Sequence, residues 1–287
     1  MMAVSVVICT IEGSGREQKL KEIIRCLQLQ DRIELEIIIV CQVLNPSFRI
    51  EIEGANIVMT DICGSGEVRN RGAKIAKHEL ICFLDDDTYP VGNDFFQRAE
   101  SELRKRNIDF LTCNIRSTGR VKACEPISHD VVLNRRTIMA NMWEPGLMLY
   151  RSDFNNYRFD PTLGIGCVHG SSEGFDFGVR LIAAGKRGTR IASLLIDHPP
   201  LNDDVNNGIE RAFFYGLGNG ATLVQHGYYV GYIFAIIRTI ARLFVSLMRG
   251  KWAISRTAFV RLVSLCVGPF LPRRPARILP LRTLHNC

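Results

Sequence analysis

Three short apolar runs, at residues 4–9, 35–40 and 80–84, constrain the fold of this chain more than any other feature. The first two are rich in Val and Ile, and none shows a clean alternation of apolar and polar residues. Strands that read this way are buried on both faces. Between the first two runs, Leu20, Ile23, Ile24 and Leu27 recur at helical spacing, with Lys19, Lys21 and Glu22 among them. Residues 57–59 form a further short run. Residues 68–77 read as a helix before the run at 80–84, and residues 93–105 as a helix after it. Strands alternating with helices imply βαβ units and a mostly parallel sheet. In such sheets ligands bind at the carboxyl ends of the strands.

The run at 80–84 leads directly into Asp85-Asp86-Asp87. Carboxylates crowded together repel one another, and the repulsion raises their pKa values. A divalent cation relieves that strain, because hard cations take carboxylate oxygens. The plain alternative is a solvated acidic turn or a helix cap. The position at a strand end favours the ligand.

A chain of 287 residues makes one large domain, or one domain with an appendage. Hydrophobic residues at 47% and charged residues at 23% exclude a disordered chain. A net charge of +7 suggests an anionic partner: nucleotide, nucleic acid or anionic lipid. Nucleic acid is the weakest of these, since the basic residues are spread out and no binding motif is present. Ten cysteines without a CxxC pair or zinc spacing fit a reducing cytoplasm better than a disulfide scaffold. The first eight residues read as a strand, not a signal peptide.

Further along, residues 110–114 and 146–150 read as strands around a polar, irregular stretch at 116–136. Residues 164–172 read as a Gly/Ser loop. Residues 173–184 form a helix closed by Gly185, and residues 191–196 a strand that ends at Asp197-His198-Pro199-Pro200. The division expected is a catalytic-type domain at 1–204 and a helical region at 205–287. In that region Ala235, Ile236, Ile240, Leu243, Phe244 and Leu247 are apolar, while Arg238, Arg242 and Arg249 recur on another face. Crossing a bilayer takes about 20 clean apolar residues. Two arginines near the middle argue instead for a helix lying on an anionic membrane, or for a core-packed helix with a solvated basic face.

Taken in order, several segments resemble the family 2 glycosyltransferases, which have the GT-A fold. These are residues 4–10, 36–40, Arg69-Asn70-Arg71-Gly72-Ala73, Phe83-Leu84-Asp85-Asp86-Asp87, Glu173-Gly174-Phe175-Asp176 and His198-Pro199-Pro200. The resemblance covers roughly residues 4–225. It implies an α/β fold with a Rossmann-like, mixed but mostly parallel sheet, flanking helices and a helical extension. It further implies an inverting transfer of a sugar from a nucleotide-sugar to a hydroxyl, with Mn2+ or Mg2+ neutralising the leaving diphosphate. On this resemblance Asp87 and His198 hold the metal. Asp85 and Asp86 contact the ribose or the metal's water. Thr10 and Glu12 lie beside the base, and Arg69 beside the nucleotide. Outside the resemblance, His198 reads as a loop residue and Arg69 as a helix surface residue.

Two positions depart from the family. Gly174 stands where an aspartate usually acts as base, so Glu173 or Asp176 must take the proton from the acceptor, with helix capping as the other role for Asp176. Cys41 and Gln42 stand where aspartates usually meet the base, and Asp61 is the nearest substitute. The segment 211–220 resembles a stretch after the catalytic core of bacterial members. Its glycines permit close helix approach. The implied acceptor is a glycan or lipid-linked oligosaccharide for surface polysaccharide, with the protein peripheral on the cytoplasmic membrane face. Two other readings stay open. Residues 12–16, Glu-Gly-Ser-Gly-Arg, resemble the phosphate loop of a metal-dependent nucleotidyltransferase. The glycine at 174 also fits a non-catalytic nucleotide-sugar-binding protein.

Overall fold

The computed structural model describes residues 2–43, 45, 47–117, 125–199 and 205–274. The two-face-buried runs become the sheet centre. Strand β1 (Met2–Ile11) pairs in parallel with β2 (Ile33–Gln42) on one side and β4 (Leu80–Asp85) on the other. Strand β3 (Asn56–Thr60) pairs in parallel with β2 at the edge. The remaining strands are β5 (Tyr89–Pro90), β6 (Phe110–Ser117), β7 (Val131–Leu133), β8 (Leu147–Tyr150) and β9 (Gly188–His198). The nine-stranded order is β3-β2-β1-β4-β8-β6-β9-β5, with β7 also on β9. The sheet is mixed: β8 runs antiparallel to both β4 and β6, whereas β6 and β9 are parallel.

Helix α1 (Glu17–Gln28) buries Leu20, Ile23, Ile24 and Leu27, the four residues whose spacing marks it in the sequence. Helices α2 (Ser65–Ile75) and α3 (Phe95–Arg106) follow β3 and β5. Gly72 seats α2 against the sheet. A Cβ there would stand 2.3 Å from Val7 Cγ1 and 3.0 Å from Val40 Cγ2. Overpacking of this kind costs about 2 kcal/mol. Gly72→Ala should therefore lower the thermal midpoint by roughly 4–8 °C, read by circular dichroism.

The stretch 116–136, irregular in the sequence, contributes β7, which pairs with residues 188–190 of β9. Its residues 118–124 lie outside the described residues. The β6–β9 register passes from Cys113↔Ile191 to Asn114↔Leu195, a bulge in β9. The Asn114 side-chain amide fills it, donating to Ala192 O at 3.2 Å and Ile127 O at 3.0 Å. Short helices α4 (Ile138–Asn141) and α5 (Arg151–Tyr157) precede and follow β8. Helix α6 (Glu173–Ala183) begins and ends close to where the sequence places it, with Gly185 at φ +81° beyond it.

The chain divides into two compact units: Met1–Asp61, Val68–Phe159 and Phe177–Leu201 in one, Ile62–Glu67, Asp160–Asp176 and Asn202–Cys287 in the other. The first contains the sheet. The second is built on α7 (Val205–Gln225), α8 (Tyr229–Met248), α9 (Trp252–Val267) and a 3-10 turn at Gly268–Phe270. The glycines of segment 211–220 do bring helices close. A Cβ at Gly216 would lie 1.9 Å from Ser264 Oγ of α9.

Candidate active site

The acidic turn follows from the parallel register. Cys9 pairs with Asp85, so the end of β1 runs beside residues 85–87. Thr88 closes the turn: its hydroxyl accepts from Asp85 N at 2.9 Å and donates to Asp85 O at 3.0 Å. Each aspartate then takes a different partner. Asp85 accepts from Arg69 Nη2 at 2.9 Å, and this arginine is buried on α2. Asp86, 5% exposed, accepts from Thr10 Oγ1 at 2.7 Å and from Arg16 Nη1. Asp87, 7% exposed, takes the same Arg16 Nη1 at 3.1 Å on Oδ2. Among the described residues, Asp87 Oδ1 takes no hydrogen bond. Burial pushes the Asp86 carboxyl up from its ordinary value, and the negative charge of Asp87 adds to this. Arg16 and Thr10 oppose it.

Arg16 enters from the turn that follows β1. Glu12, in that turn, accepts from Asn45 N at 2.8 Å, while its own amide donates to Gln42 O at 2.8 Å. The ends of β1 and β2 are thereby tied together. Cys41, near the end of β2, is pushed up to about 11 by burial, then by the negative charges of Glu12 and Asp86. Asp61 follows β3 and is exposed.

His198 ends β9, and its Nδ1 donates to Pro199 O at 2.7 Å. The antiparallel β5–β9 register pairs Tyr89, two residues after Asp87, with Asp197, the residue before His198. Among the described residues, no three His, Cys, Asp or Glu side chains gather into a ready metal cage. The donor chemistry still fits a divalent cation. Mg2+ in phosphate sites is held by one or two carboxylates together with substrate phosphates, not by an all-protein cage. Asp87 offers one oxygen for that purpose.

In the second unit, Glu173 and Asp176 occupy the first turn of α6, where the helix dipole favours negative charge. Glu173, 6% exposed, accepts from Ser65 Oγ at 2.6 Å on Oε1. Gly164, at φ +98°, makes room for this contact: a Cβ there would lie 2.2 Å from Ser65 Oγ and 2.7 Å from Glu173 Cδ. Asp176 is 1% exposed and pairs with His226 Nε2 at 2.8 Å. Its Oδ1 is thereby joined to His226, 50 residues further along the chain. Phe175 sets its ring edge-on to both His226 and Tyr228.

Three of these side chains are invisible to motif reasoning as site residues. Arg16 is legible only as part of a phosphate-type loop, yet it bridges Asp86 and Asp87. Ser65 and His226 carry no local signal, because their partners lie 108 and 50 residues away.

No protein-family model and no curated protein matches the chain. Solved structures do. Residues 1-349 of S. aureus TarS in complex with UDP-GlcNAc superpose with a TM-score of 0.55 at 17% identity, covering 71% of this chain and 60% of that one. The shared feature is the architecture, a mixed, mostly parallel sheet flanked by helices. The same TarS fragment in complex with UDP gives 0.56 at 19% identity, covering 76% and 65%. The fragment on its own gives 0.56 at 16% identity, covering 91% and 90%. The chain thus spans about three-fifths of the length of the UDP-GlcNAc complex.

Proposed function

We propose that this protein is a metal-dependent, inverting glycosyltransferase of the family 2 type, moving a sugar from a uridine diphosphate donor to a hydroxyl of a glycan or lipid-linked acceptor. The observation that carries this reading is the convergence of Thr10, Arg16 and Arg69 on Asp85, Asp86 and Asp87 at the carboxyl ends of β1 and β4. Buried carboxylates cross-braced by arginines at a strand end suit a diphosphate and its counter-cation. The UDP and UDP-GlcNAc complexes of TarS support uracil as the base.

In this reading Asp87 and His198 would hold Mn2+ or Mg2+, which neutralises the charge left on the departing diphosphate. Thr10 and Glu12 would lie beside the base and Arg69 beside the nucleotide, while Asp85 and Asp86 would contact the ribose or the metal's water. Glu173 takes the proton of the acceptor hydroxyl. The acceptor oxygen bonds to the anomeric carbon as the bond to the diphosphate oxygen breaks, and its electron pair leaves with the diphosphate. One displacement inverts the anomeric centre.

The test is thermal unfolding with UDP, UDP-GlcNAc and UTP, each with and without Mn2+. A ligand at a hundred times its Kd adds about 2.7 kcal/mol. The expected result is a Mn2+-dependent shift with UDP and UDP-GlcNAc, followed by transfer to an acceptor glycan. A shift with UTP alone would move the assignment to a nucleotidyltransferase. Binding without turnover across acceptors would make the protein a nucleotide-sugar-binding module.

A further inference from the structure

The helices α8 and α9 pack inside out. Their buried residues include the small polar Thr239, Ser246, Ser255 and Ser264, and Ser246 Oγ lies 2.8 Å from Ser255 Oγ across the pair. Their large apolar side chains point outward: Val230 is 78% exposed, Phe234 70%, Phe244 65% and Met248 73%. In water this arrangement forfeits the burial that normally drives helix pairing. In lipid it is the expected one, with small residues between helices and large ones toward the acyl chains. Tyr229–Met248 and Trp252–Phe270 are each long and apolar enough to cross a membrane by length and composition.

Charge decides how they meet it. At 100° per residue, the exposed apolar residues of α8 fall within an arc of about 160°, and Arg238, Arg242 and Arg249 form a stripe along one edge of it. The third face, bearing Thr239 and Ser246, packs on α9. An apolar arc bordered by arginines describes a helix lying in the headgroup boundary, because Arg238 and Arg242 sit near mid-helix where a spanning segment would meet hydrocarbon. Among the described residues no carboxylate pairs with the stripe, and all 29 Asp and Glu of the chain precede residue 211. Arg261 of α9 is pushed below its ordinary value by burial and by the positive charges of Arg238 and Arg242. Among the described residues these three arginines pair with no carboxylate, and lipid phosphates supply an anion.

We propose that α8 and α9 dock the protein on the surface of an anionic bilayer, with the apolar arc of α8 in the acyl boundary and Arg238, Arg242 and Arg249 on lipid phosphates. This does not rest on the transferase reading, and its test needs no donor or acceptor. The full chain would be sedimented with vesicles of phosphatidylcholine alone and of phosphatidylcholine mixed with phosphatidylglycerol. Binding to the mixed vesicles, weakened by high salt and released by an alkaline carbonate wash, is the expected result. Arg238→Glu with Arg242→Glu should weaken it at least roughly tenfold. Phe234→Ser with Phe244→Ser should do the same, with circular dichroism and the thermal midpoint kept as wild type. Equal binding to both vesicle types, retention through the carbonate wash, or full binding by folded variants would overturn the proposal. So would a stable dimer in solution that ignores vesicles, which would assign the face to a second copy.

Discussion

Replacing Asp87 by alanine is expected to reduce sugar transfer about 10³-fold while leaving the fold intact. The magnitude is that of removing one preorganised charge-stabilising group from an active site. Asp87 is the member of the acidic turn with least structural duty. Asp85 is committed to Arg69, and Asp86 to Thr10 and Arg16. Asp87 shares Arg16 and keeps Oδ1 without a hydrogen bond among the described residues. Its loss removes a negative charge that burdens Asp86. The melting temperature should therefore stay within a few degrees of wild type. Two measurements check the role: kcat/KM for transfer, and the Mn2+-dependent part of the UDP thermal shift, which should vanish. Asp86→Ala makes an instructive contrast. It leaves Thr10 and Arg16 without their shared acceptor and should cost stability, so lost activity in that variant says less. Wild-type turnover by the Asp87 variant would remove Asp87 from the mechanism.

The parts of this fold legible in the sequence are those whose burial is symmetric or periodic. Strands β1, β2 and β4 lie between neighbours in the sheet, so their apolar runs are nearly unbroken. Helix α1 shows its buried face directly. Strands β5 and β7, of two and three residues, exist only because β9 is there to pair with them, and no local pattern encodes that. The antiparallel insertion of β8 between β4 and β6 is equally non-local. The same division holds for the candidate site. The acidic turn is legible because three carboxylates after a buried strand are costly. The bridging role of Arg16 is not, since it depends on a turn that carries a guanidinium to a carboxylate 70 residues away. The Asp176–His226 pair is hidden for the same reason, and an aspartate in a first helical turn reads naturally as a cap. In α8 the arginine stripe is legible, but only the Ser246–Ser255 contact shows which face is inside.

Replacing Glu173 by glutamine should lower kcat by about 10²- to 10⁴-fold, the usual contribution of a positioned general base. Glutamine has nearly the same shape and keeps a carbonyl oxygen where Glu173 Oε1 accepts from Ser65. What it loses is the ability to take a proton. The UDP thermal shift and the donor KM should stay as in wild type, because the donor ligands proposed here lie at the ends of β1 and β4. Asp176→Asn probes the competing assignment. Asp176 is almost fully buried against His226, and weakening a buried charged hydrogen bond costs about 1–3 kcal/mol. That variant should melt several degrees lower, with activity falling in step with the folded fraction. If instead Glu173→Gln turns over normally while folded Asp176→Asn is inactive, the proton passes to the Asp176–His226 pair. Ser65→Ala separates positioning from chemistry. It removes the hydroxyl that holds Glu173 Oε1 without removing the carboxylate, so it should produce only a partial loss of kcat, far smaller than that of Glu173→Gln. Equal losses from the two would mean that Glu173 acts in holding the loop at Gly164 and not as a base.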